Sequence, residues 1–406
     1  MRLVNGETKF MRLALQLAKR GSGSVSPNPM VGAVLVKRGK IIGRGWHRRA
    51  GLPHAEIEAL RDAQKRGHSP RGATLYVTLE PCCTHGRTPP CTEAIIAAGT
   101  RRVVIGATDP NPKHAGRGFK ILERAGIAVE KLGVPRSRGP NRLKAELQTL
   151  AGTCIKLNEA FNYWIVHRTP FVTVKAAMTL DGKIATASGE SKWITGEKAR
   201  AHGMKLRQGS DAILAGINTI LADDPALTAR VKVEGGRWKT AKLIRRIVLD
   251  SLARTPVTAK VVNDEFTALT TIVVSKHAPK KRVVALARRV KVLVAPIIRV
   301  GRASPRAGSS GASPHQIDLR WLLKKLGAEN VTSLLVEGGG EVNASFLLGG
   351  FAQRVAFFYA PKILGGRDSR KGVGGDGARS LSEVIRLRDV EWRRFGEDLL
   401  LTARVD

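Results

Sequence analysis

The chain is organised around Pro53-His54-Ala55-Glu56, Pro81-Cys82 and, further along, Cys91. Catalytic zinc takes three protein ligands and keeps a fourth position open for water. We predict that His54, Cys82 and Cys91 supply these three ligands. Glu56 lies too close to His54 in sequence to serve easily as a fourth ligand, so we assign it to proton transfer.

The patterns around these positions predict how the chain presents them. An apolar-periodic run that favours a helix begins at His54. Residues 73–80 are rich in β-branched and aromatic types, and they predict a strand that delivers Cys82 at its end. Residues 92–99 predict a second helix, closed by a glycine. Cys91 then lies at a helix N-terminus, where the helix dipole stabilises a thiolate.

A histidine two residues before a glutamate, followed by Pro-Cys and a second cysteine, is the pattern of zinc-dependent nucleobase deaminases. Two cysteines and a histidine can also be ordinary core residues, and a histidine–glutamate pair alone usually is. Four such residues in this order, on one strand end and two helix starts, favour the metal site. The usual second half is Pro-Cys-x-x-Cys, whereas here eight residues separate Cys82 from Cys91. Cys83 is nearer, but adjacent cysteines do not readily chelate one tetrahedral ion.

Length and composition predict a globular protein of two domains. A chain of 406 residues exceeds what one hydrophobic core normally holds. No run of eighteen or more apolar residues occurs, so we expect no transmembrane helix and no membrane partner. Residues 1–19 are amphipathic and lack the apolar core of a signal peptide, so we expect the first helix of the fold and a cytoplasmic location. Cys83 and Cys154 are expected to be small buried residues and not a disulfide.

The net charge of +36 is extreme. It favours anionic partners, namely phosphorylated substrates, a phosphate-bearing cofactor or, by non-specific attraction, nucleic acid. We rank nucleic acid below the others, because the Lys and Arg residues are spread along the whole chain and only 5% of residues are aromatic. A solvated surface accounts for most of the charge.

Alternating strands and helices over residues 1–150 predict a three-layer α/β/α domain. A helical linker over residues 143–166 leads into a second α/β domain, which we assign to residues 151–406. Residues 300–315 have the composition of a flexible insertion, and residues 365–377 that of a second mobile loop.

The strand predicted over residues 334–337 runs into Gly338-Gly339-Gly340 and then into a helix. A strand, a glycine-rich turn and a helix N-terminus form a phosphate cradle by geometry. A glycine-rich turn alone is weak support for phosphate binding.

Further motifs occur along the chain. In the first half they are Asn28-Pro29-Met30-Val31-Gly32-Ala33-Val34, His54-Ala55-Glu56, the run from Leu79 to Cys91, and Asp109-Pro110-Asn111-Pro112. In the second half they are the runs Met178 to Lys183, Ala187 to Thr195, Leu221 to Thr228, and Val336 to Gly340. With these motifs the sequence resembles, over nearly its whole length, the bifunctional deaminase–reductase family of riboflavin biosynthesis. The long Cys82–Cys91 loop and the Ser-Gly-Glu-Ser-x-Trp run are the most specific of them.

For the first domain the resemblance implies a cytidine-deaminase-like fold that acts on a ribosylated pyrimidine phosphate. Zn²⁺ bound by His54, Cys82 and Cys91 would activate water, and Glu56 would pass the proton to the ring nitrogen and then to the departing amine, which leaves as ammonia. The positions that match substrate contacts are Asn28, His47, Asp109 and Asn111. Asn-Pro and Asp-Pro pairs are also simple turn formers.

For the second domain the resemblance implies a dihydrofolate-reductase-like fold that uses NADPH to reduce the ribosyl chain to a ribityl chain. The positions that match cofactor contacts are Ala177, Trp193, Thr219, Asp223, Ser251, Gly339, Gly340, Glu341, Val342, Asn343, Ala344 and Ser345. The positions that match substrate contacts are Lys175, Ser191, Arg207, Leu227, Arg230 and Glu337. Arg207 and Arg230 are suited to binding a phosphate with two hydrogen bonds, although a solvated helix face is the default for arginines in so basic a chain. The resemblance also implies a homo-oligomer formed through the reductase domain.

Two other functions compete with this interpretation. A nucleic-acid-editing zinc deaminase would use the charge to bind RNA or DNA, but it leaves residues 151–406 unexplained and predicts a short Pro-Cys-x-x-Cys. A zinc-binding scaffold without chemistry is disfavoured, because Glu56 is present. The basic segment 231–245 and the insertion at 300–313 are longer than the resemblance requires, and neither interrupts a motif.

Overall fold

The computed structural model describes residues 4–85, 89–133, 141–232, 238–298 and 316–406. The chain divides into two compact units, Met1–Arg168 and Thr169–Asp406. The insertion expected at 300–313 lies outside the described residues, as do residues 233–237 of the basic segment and residues 86–88 of the cysteine loop.

The first unit is a five-stranded mixed sheet between two layers of helices. Its strands are β1 Gly32–Lys37, β2 Lys40–Trp46, β3 Thr74–Val77, β4 Arg102–Ile105 and β5 Ala128–Lys131. Its helices are α1 Val4–Lys19, α2 Ala55–Lys65, α3 Cys91–Ala97, α4 Arg117–Arg124, α5 Asn141–Leu157 and α6 Glu159–His167. The strand order is β2-β1-β3-β4-β5, with β3, β4 and β5 parallel. Helices α1 and α5 contact each other on one face of the sheet, and α2, α3 and α4 contact in series on the other.

Glycines in β2 let α2 lie unusually close to the sheet. A Cβ atom at Gly43 would lie 2.2 Å from the Ala59 carbonyl oxygen, and one at Gly45 would lie 2.2 Å from the Ala55 carbonyl oxygen. Any side chain at these two positions would therefore push the helix away. This close approach fixes the start of α2, where His54 is the N-cap.

Helices α5 and α6 belong to the first unit, so the boundary at residue 150 predicted from the sequence falls inside α5. Cys154 on α5 is fully buried, and a Cβ atom at Gly106 would lie 2.4 Å from its sulfur. The single helix expected over 143–166 is interrupted at Asn158. Its side-chain oxygen accepts from the Met30 N–H at 2.7 Å and its amide donates to the Met30 carbonyl at 2.9 Å.

The second unit is built on a nine-stranded sheet. Its order is β13-β12-β11-β8-β16-β6-β17-β20-β19; the first seven of these strands are parallel, and β20 pairs antiparallel with both β17 and β19. The strands of this sheet are β6 Phe171–Thr179, β8 Ala212–Gly216, β11 Arg245–Leu249, β12 Thr270–Ser275, β13 Lys291–Ala295, β16 Ser333–Val336, β17 Arg354–Ala360, β19 Leu387–Phe395 and β20 Asp398–Val405. Three smaller pairs are formed by β7 Lys183–Ala185 with β18 Arg370–Lys371, β9 Ala229–Lys232 with β10 Trp238–Lys242, and β14 Ile297–Ile298 with β15 Gln316–Ile317.

The helices of the second unit connect the parallel strands. They are α7 Glu197–Gln208, α8 Ile217–Asp223, α9 Lys260–Asn263, α10 Lys280–Ala287, α11 Leu319–Ala328 and α12 Gly340–Leu348. The chain moves from β8 outward to β13 and then returns, through β16, to the other side of β8. Such a reversal of strand order opens a crevice at the carboxyl ends of the strands, where open α/β sheets bind ligands.

No helix among the described residues is long and apolar enough to span a lipid bilayer.

Candidate zinc centre and reductase site

The structure brings the three predicted zinc ligands together. His54 caps α2, Cys91 is the first residue of α3, and Cys82 lies on the loop after β3. The His54 Nδ1 atom is 3.3 Å from the Cys91 sulfur and 3.5 Å from the Cys82 sulfur. The three ligand atoms all lie within 4.8 Å of one another.

These distances fit a tetrahedral zinc ion. Bond lengths of about 2.3 Å to sulfur and about 2.1 Å to nitrogen place the nitrogen and a sulfur about 3.6 Å apart, close to the separations observed. The backbone N–H of Cys91 also donates to the Cys82 sulfur at 3.3 Å, so the second ligand loop is already folded around the first. Cys83 is not a member of the ligand cluster, and it is half-buried, whereas we expected it to be buried. Cys154 is buried, as expected.

The pKa values of the two thiols are shifted in opposite directions. Hydrogen bonding from the Cys91 thiol, and then from His54, lowers the pKa of Cys82 to about 4 despite its burial. The Cys82 thiolate and burial in turn raise the pKa of Cys91. The hydrogen bond to Cys82 raises the pKa of His54. Two cysteine sulfurs and one imidazole nitrogen this close together are a donor set that catalytic zinc takes.

Glu56 lies on the inner side of α2 and is 3% exposed. Burial raises the pKa of Glu56 to about 7, although His54 and a hydrogen bond with Cys91 oppose the effect. A carboxyl group with a pKa near neutrality can both take and give a proton, which is the property required of a general acid–base group. Glu56 contacts Cys91 and so lies beside the candidate zinc ligands, but it is not a member of the three-residue ligand cluster.

Asn28 and His47 form one polar group next to the candidate zinc ligands. His47 is 2% exposed, and its ring centre is 5.2 Å from that of His54. Its Nδ1 atom lies 3.1 Å from the Pro53 carbonyl oxygen, so it must carry a proton and donate. The Nε2 atom is then an acceptor for the Asn28 amide at 3.1 Å. Burial lowers the pKa of His47, consistent with this neutral tautomer.

Asp109 and Asn111 use their side chains to shape the loop that carries them. The Asp109 carboxylate accepts from the Asn111 N–H at 2.9 Å and from His114 Nδ1 at 2.8 Å. The Asn111 side-chain oxygen accepts from the Lys113 N–H at 3.1 Å. Sequence reasoning missed two members of this network, His114 and the buried Glu80. The only local signals were the position of Glu80 directly before Pro-Cys and of His114 two residues after the Asp-Pro-Asn-Pro turn.

Four of the predicted cofactor contacts lie at the carboxyl ends of four neighbouring strands, β11-β8-β16-β6. Ser251 follows β11, Thr219 lies in α8 directly after β8, and Gly339 follows β16. Ala177 lies near the end of β6. This edge coincides with the reversal of strand order described above, so these residues surround the crevice where a ligand is expected.

The glycine-rich turn after β16 is tightly packed at two of its three positions. A Cβ atom would lie 2.5 Å from the Val342 side chain at Gly338 and 2.3 Å from the Lys371 carbonyl oxygen at Gly340. At Gly339 the nearest atom, the Thr219 hydroxyl, would be 4.0 Å away, so this position faces open space. Gly339 is also the N-cap of α12 and, as a glycine, has no side chain with which to cap that helix. The turn therefore leaves room beside a helix N-terminus, as an anionic group requires.

The remaining residues of the predicted cradle, 341–345, are largely committed to packing. Asn343 is fully buried and donates to the Gly372 carbonyl at 2.8 Å, and Glu341 accepts from the Gly375 N–H at 3.4 Å. Ala344 is buried, and the Ser345 hydroxyl donates to the Glu341 carbonyl within the helix. These side chains hold the loop around Gly372 against α12 and do not point together into one ligand site.

Ser191, Trp193 and Asp223 lie near one another at the same edge. The Ser191 hydroxyl donates to the Asp223 carboxylate at 3.3 Å. Trp193 is 65% exposed, and the Arg200 guanidinium lies 4.4 Å above its ring. An aromatic ring left this exposed is not part of the core.

Lys175, Arg207 and Glu337 form a partly buried charge cluster. The Arg207 guanidinium donates to both carboxylate oxygens of Glu337, at 3.0 and 2.7 Å, and to the Thr228 carbonyl at 3.0 Å. The Lys175 ammonium is 3.8 Å from Glu337. Burial alone would raise the pKa of Glu337, but the charges of Arg207 and Lys175 lower it to about 2. The sequence suggested a phosphate-binding role for Arg207, whereas in the structure its hydrogen bonds go to Glu337 and Thr228.

Leu227 and Arg230 follow α8. Leu227 is 2% exposed, so it is part of the core. Its backbone φ is 49°, in the left-handed region. Arg230 is exposed on β9, and its carbonyl accepts from the Gln208 side chain at 3.0 Å.

Comparison with known proteins gives matches to both units. Residues 5–107 match the family described as cytidine and deoxycytidylate deaminase zinc-binding region, and residues 170–401 match the RibD C-terminal domain. The riboflavin biosynthesis protein RibD of Aquifex aeolicus (strain VF5) is 40% identical over 395 residues, which cover 97% of this chain and 97% of that protein.

Two solved structures are similar over both units. RibD of Acinetobacter baumannii, form 1, superposes with a TM-score of 0.77 at 32% identity, covering 99% of each chain. The diaminohydroxyphosphoribosylaminopyrimidine deaminase/5-amino-6-(5-phosphoribosylamino)uracil reductase of Thermotoga maritima superposes with a TM-score of 0.74 at 33% identity, also covering 99% of each chain. The fold predicted for each unit, cytidine-deaminase-like in the first and dihydrofolate-reductase-like in the second, is confirmed.

Proposed function

Because the chain belongs to the bifunctional deaminase–reductase family of riboflavin biosynthesis, we propose that it carries out two successive reactions on one phosphorylated pyrimidine. The first unit deaminates 2,5-diamino-6-ribosylamino-4(3H)-pyrimidinone 5′-phosphate. The second unit reduces the ribosyl chain of 5-amino-6-(5-phosphoribosylamino)uracil to the ribityl form. The observation that carries the proposal is the cluster of His54, Cys82 and Cys91 beside the buried Glu56.

In the deaminase reaction the protein would hold a zinc ion and move two protons. His54, Cys82 and Cys91 would hold Zn²⁺, which when bound would supply an activated water molecule for attack on the ring carbon that bears the amine. Glu56 takes one proton from the attacking water and gives it to the ring nitrogen; it then takes the second proton from the hydroxyl now bonded to carbon and gives it to the amine, so that the carbon–nitrogen bond breaks and ammonia leaves. Its raised pKa suits it to both transfers.

Asn28 and His47 orient the base in this proposal. The His47 ring is fixed by its donation to the Pro53 carbonyl, so the Asn28 amide that it holds has a defined direction. A partly buried pair with one fixed tautomer is suited to recognising the edge of a pyrimidine by hydrogen bonds. Asp109 and Asn111 contribute chiefly through the loop that they shape.

In the reductase reaction the second unit uses a nicotinamide cofactor, and we propose that this cofactor is NADPH. The start of α12 at Gly339 is suited to a phosphate of the cofactor, with Ala177 on the neighbouring strand β6, Thr219 in α8 after β8, and Ser251 after β11. The preference for NADPH is supported by the strongly basic composition of the chain. Lys175, held beside Glu337 and Arg207, keeps its ammonium at the strand ends, where it can bind an anionic or carbonyl oxygen of the sugar chain.

One assay tests both halves. The zinc-loaded protein is given the diaminopyrimidinone ribotide with NADPH, and ammonia release and the loss of nicotinamide absorbance are followed separately. We expect ammonia to appear first and NADPH oxidation to follow, and a chelator to stop ammonia release without stopping reduction of the deaminated intermediate. Oxidation of NADPH without prior ammonia release would contradict the proposed order. Replacing NADPH by NADH tests the cofactor preference.

We also propose that the chain assembles as a homo-oligomer through the reductase unit. The sheet of that unit ends in β19, whose residues are exposed along nearly its whole length. This edge strand carries exposed Leu387, Val390 and Trp392, and an exposed apolar edge strand is a surface that pairs with another chain. Sedimentation equilibrium at micromolar concentration is expected to show a dimer or larger species, and a monomer would contradict the proposal.

A further inference from the structure

The loop after β3, which carries the candidate zinc ligand Cys82, is hydrogen-bonded to the segment that follows β4. These hydrogen bonds form two ties, one on each side of Cys82 in the sequence. The first tie starts at Glu80, two residues before Cys82, and the second at Thr84, two residues after it. Both ties end on residues of the segment 109–118, which carries the candidate substrate contacts Asp109 and Asn111.

In the first tie, the Glu80 side chain binds only backbone N–H groups of the segment 109–118. It is 4% exposed, and its carboxylate accepts from the N–H groups of Asp109 at 3.1 Å, Gly116 at 3.0 Å and Gly118 at 2.9 Å. Gly116 is the N-cap of α4 and has no side chain to cap the helix, so the Glu80 carboxylate takes that role from another part of the chain. A Cβ atom at Gly118 would lie 2.6 Å from the Pro81 carbonyl, so the two segments are in direct contact.

His114 makes the second tie through its ring. Nδ1 donates to the Asp109 carboxylate at 2.8 Å, and Nε2 is 2.8 Å from the Thr84 hydroxyl. The side chains of His114 and Asp109 are 15% and 7% exposed. The bond to Asp109 raises the pKa of His114.

We propose that Glu80 and His114 are positioning residues for deamination, which hold the loop carrying Asp109 and Asn111 in register with the zinc ligand Cys82. This inference rests on the proposed deaminase function. Neither residue touches the reacting atoms; each acts by fixing the distance between the substrate loop and the candidate zinc ligands. Geometry of this kind matters because a displacement of about 1 Å in a substrate contact can reduce the rate about a hundredfold.

Three variants test the two ties separately, each in the full-length zinc-loaded protein. We expect His114→Ala to raise the KM for the diaminopyrimidinone ribotide about tenfold while kcat changes much less, since the zinc ligands and Glu56 are untouched. We expect His114→Asn to recover most of this loss, because its amide can still donate to Asp109. We expect Glu80→Gln to lower kcat/KM about a hundredfold, because an amide cannot accept all three N–H groups. In all three variants zinc content and the reductase rate should equal those of the parent.

The control is His68→Ala, since His68 is exposed and lies on the connection between α2 and β3. A parent-like KM in His114→Ala, or no recovery in His114→Asn, would overturn the role of His114. Loss of zinc from Glu80→Gln, with activity restored by added zinc, would show that Glu80 acts on the ligands and not on the substrate loop. If the parent protein releases no ammonia from this ribotide, the proposed function fails and not the positioning role alone.

Discussion

At the scale of single residues, Glu56 is the group on which the deamination chemistry depends. It lies next to the ligand cluster and is not part of it, and burial brings its pKa to about 7. We expect Glu56→Gln to keep one zinc ion per chain and to lower ammonia release by at least about a hundredfold, because general acid–base groups contribute factors of this size. Zinc analysis and an ammonia assay on the same sample measure both quantities.

The matched control for this substitution is Glu58→Gln. Glu58 lies on the same helix, but it pairs with Arg48 and Arg61 on the outer side. The Glu58→Gln substitution is expected to leave ammonia release unchanged. Full deamination by Glu56→Gln would remove the proposed proton carrier.

Glu337 makes the reductase unit sensitive to acid. Its pKa falls from an ordinary value of 4.5 to about 2 because Arg207 and Lys175 favour the charged form over the opposing effect of burial. A carboxyl group with a lowered folded-state pKa stabilises the fold above pH 4.5, and this contribution is lost as the pH falls from about 4.5 to about 2. The difference in pKa corresponds to roughly 3 kcal/mol.

We therefore expect Glu337→Gln to flatten the dependence of unfolding free energy on pH between about 4.5 and 2, and to lower stability at neutral pH because Arg207 is left buried without a counterion. Denaturant unfolding at several pH values measures both effects. Glu265→Gln, at an exposed position, is the control and should keep the slope of the parent. An unchanged slope in Glu337→Gln would contradict the assignment.

The zinc ligands could be predicted from the sequence because each sits where a local pattern begins or ends: a helix start at His54, a strand end before Cys82 and a helix start at Cys91. The partners of Arg207 could not be predicted in this way. Its bonds to Glu337 join residues that are far apart in the chain, and nothing in either local pattern specifies the other. The same reason explains why Glu80 and His114 were missed.

At the scale of elements, the close contact between β2 and α2 determines where His54 lies. A Cβ atom at Gly45 would meet backbone atoms of α2, 2.2 Å from the Ala55 oxygen and 2.4 Å from the Ala59 nitrogen. We expect Gly45→Ala to push α2 outward, to cost about 3 kcal/mol of unfolding free energy, and to weaken zinc binding. Thermal unfolding and zinc titration measure the two effects.

Gly152→Ala is the matched control for this substitution. Gly152 lies in the interior of α5, and a Cβ atom there would meet nothing within 4 Å. Because alanine is the better helix former, we expect it to stabilise the protein by roughly 0.5 to 1 kcal/mol. Equal effects of the two substitutions would contradict the packing argument.

Helices and strands were predicted correctly where the apolar periodicity of the sequence was strong. Their ends were misplaced where contacts with distant parts of the chain determine them. The strand expected over 73–80 is only Thr74–Val77, because the following residues form the loop that carries Cys82. The single linker helix is two helices, because Asn158 binds the backbone of Met30 in another part of the chain. The sequence around Asn158 contains no glycine or proline that would have signalled the break.

At the scale of the whole molecule, 69 basic residues face only 33 acidic ones. Such an excess of one charge destabilises a compact state by self-repulsion, and salt screens the repulsion. We expect the thermal midpoint to rise with sodium chloride between about 20 and 300 mM, by roughly 2 to 4 °C for each kcal/mol of repulsion that is screened. Differential scanning calorimetry measures it. A midpoint that falls with salt would mean that specific ion pairs outweigh the general repulsion.

The proposed deamination depends on one zinc ion held by an imidazole and two thiolates, and zinc K-edge absorption of the loaded protein tests this coordination most directly. We predict two sulfur ligands at about 2.3 Å and two nitrogen or oxygen ligands at about 2.0 to 2.1 Å, one from His54 and one from water. Replacing Cys82 or Cys91 by serine should remove one sulfur from that shell, while replacing Cys83 should remove none. A shell with three sulfurs, or with none, would contradict the account.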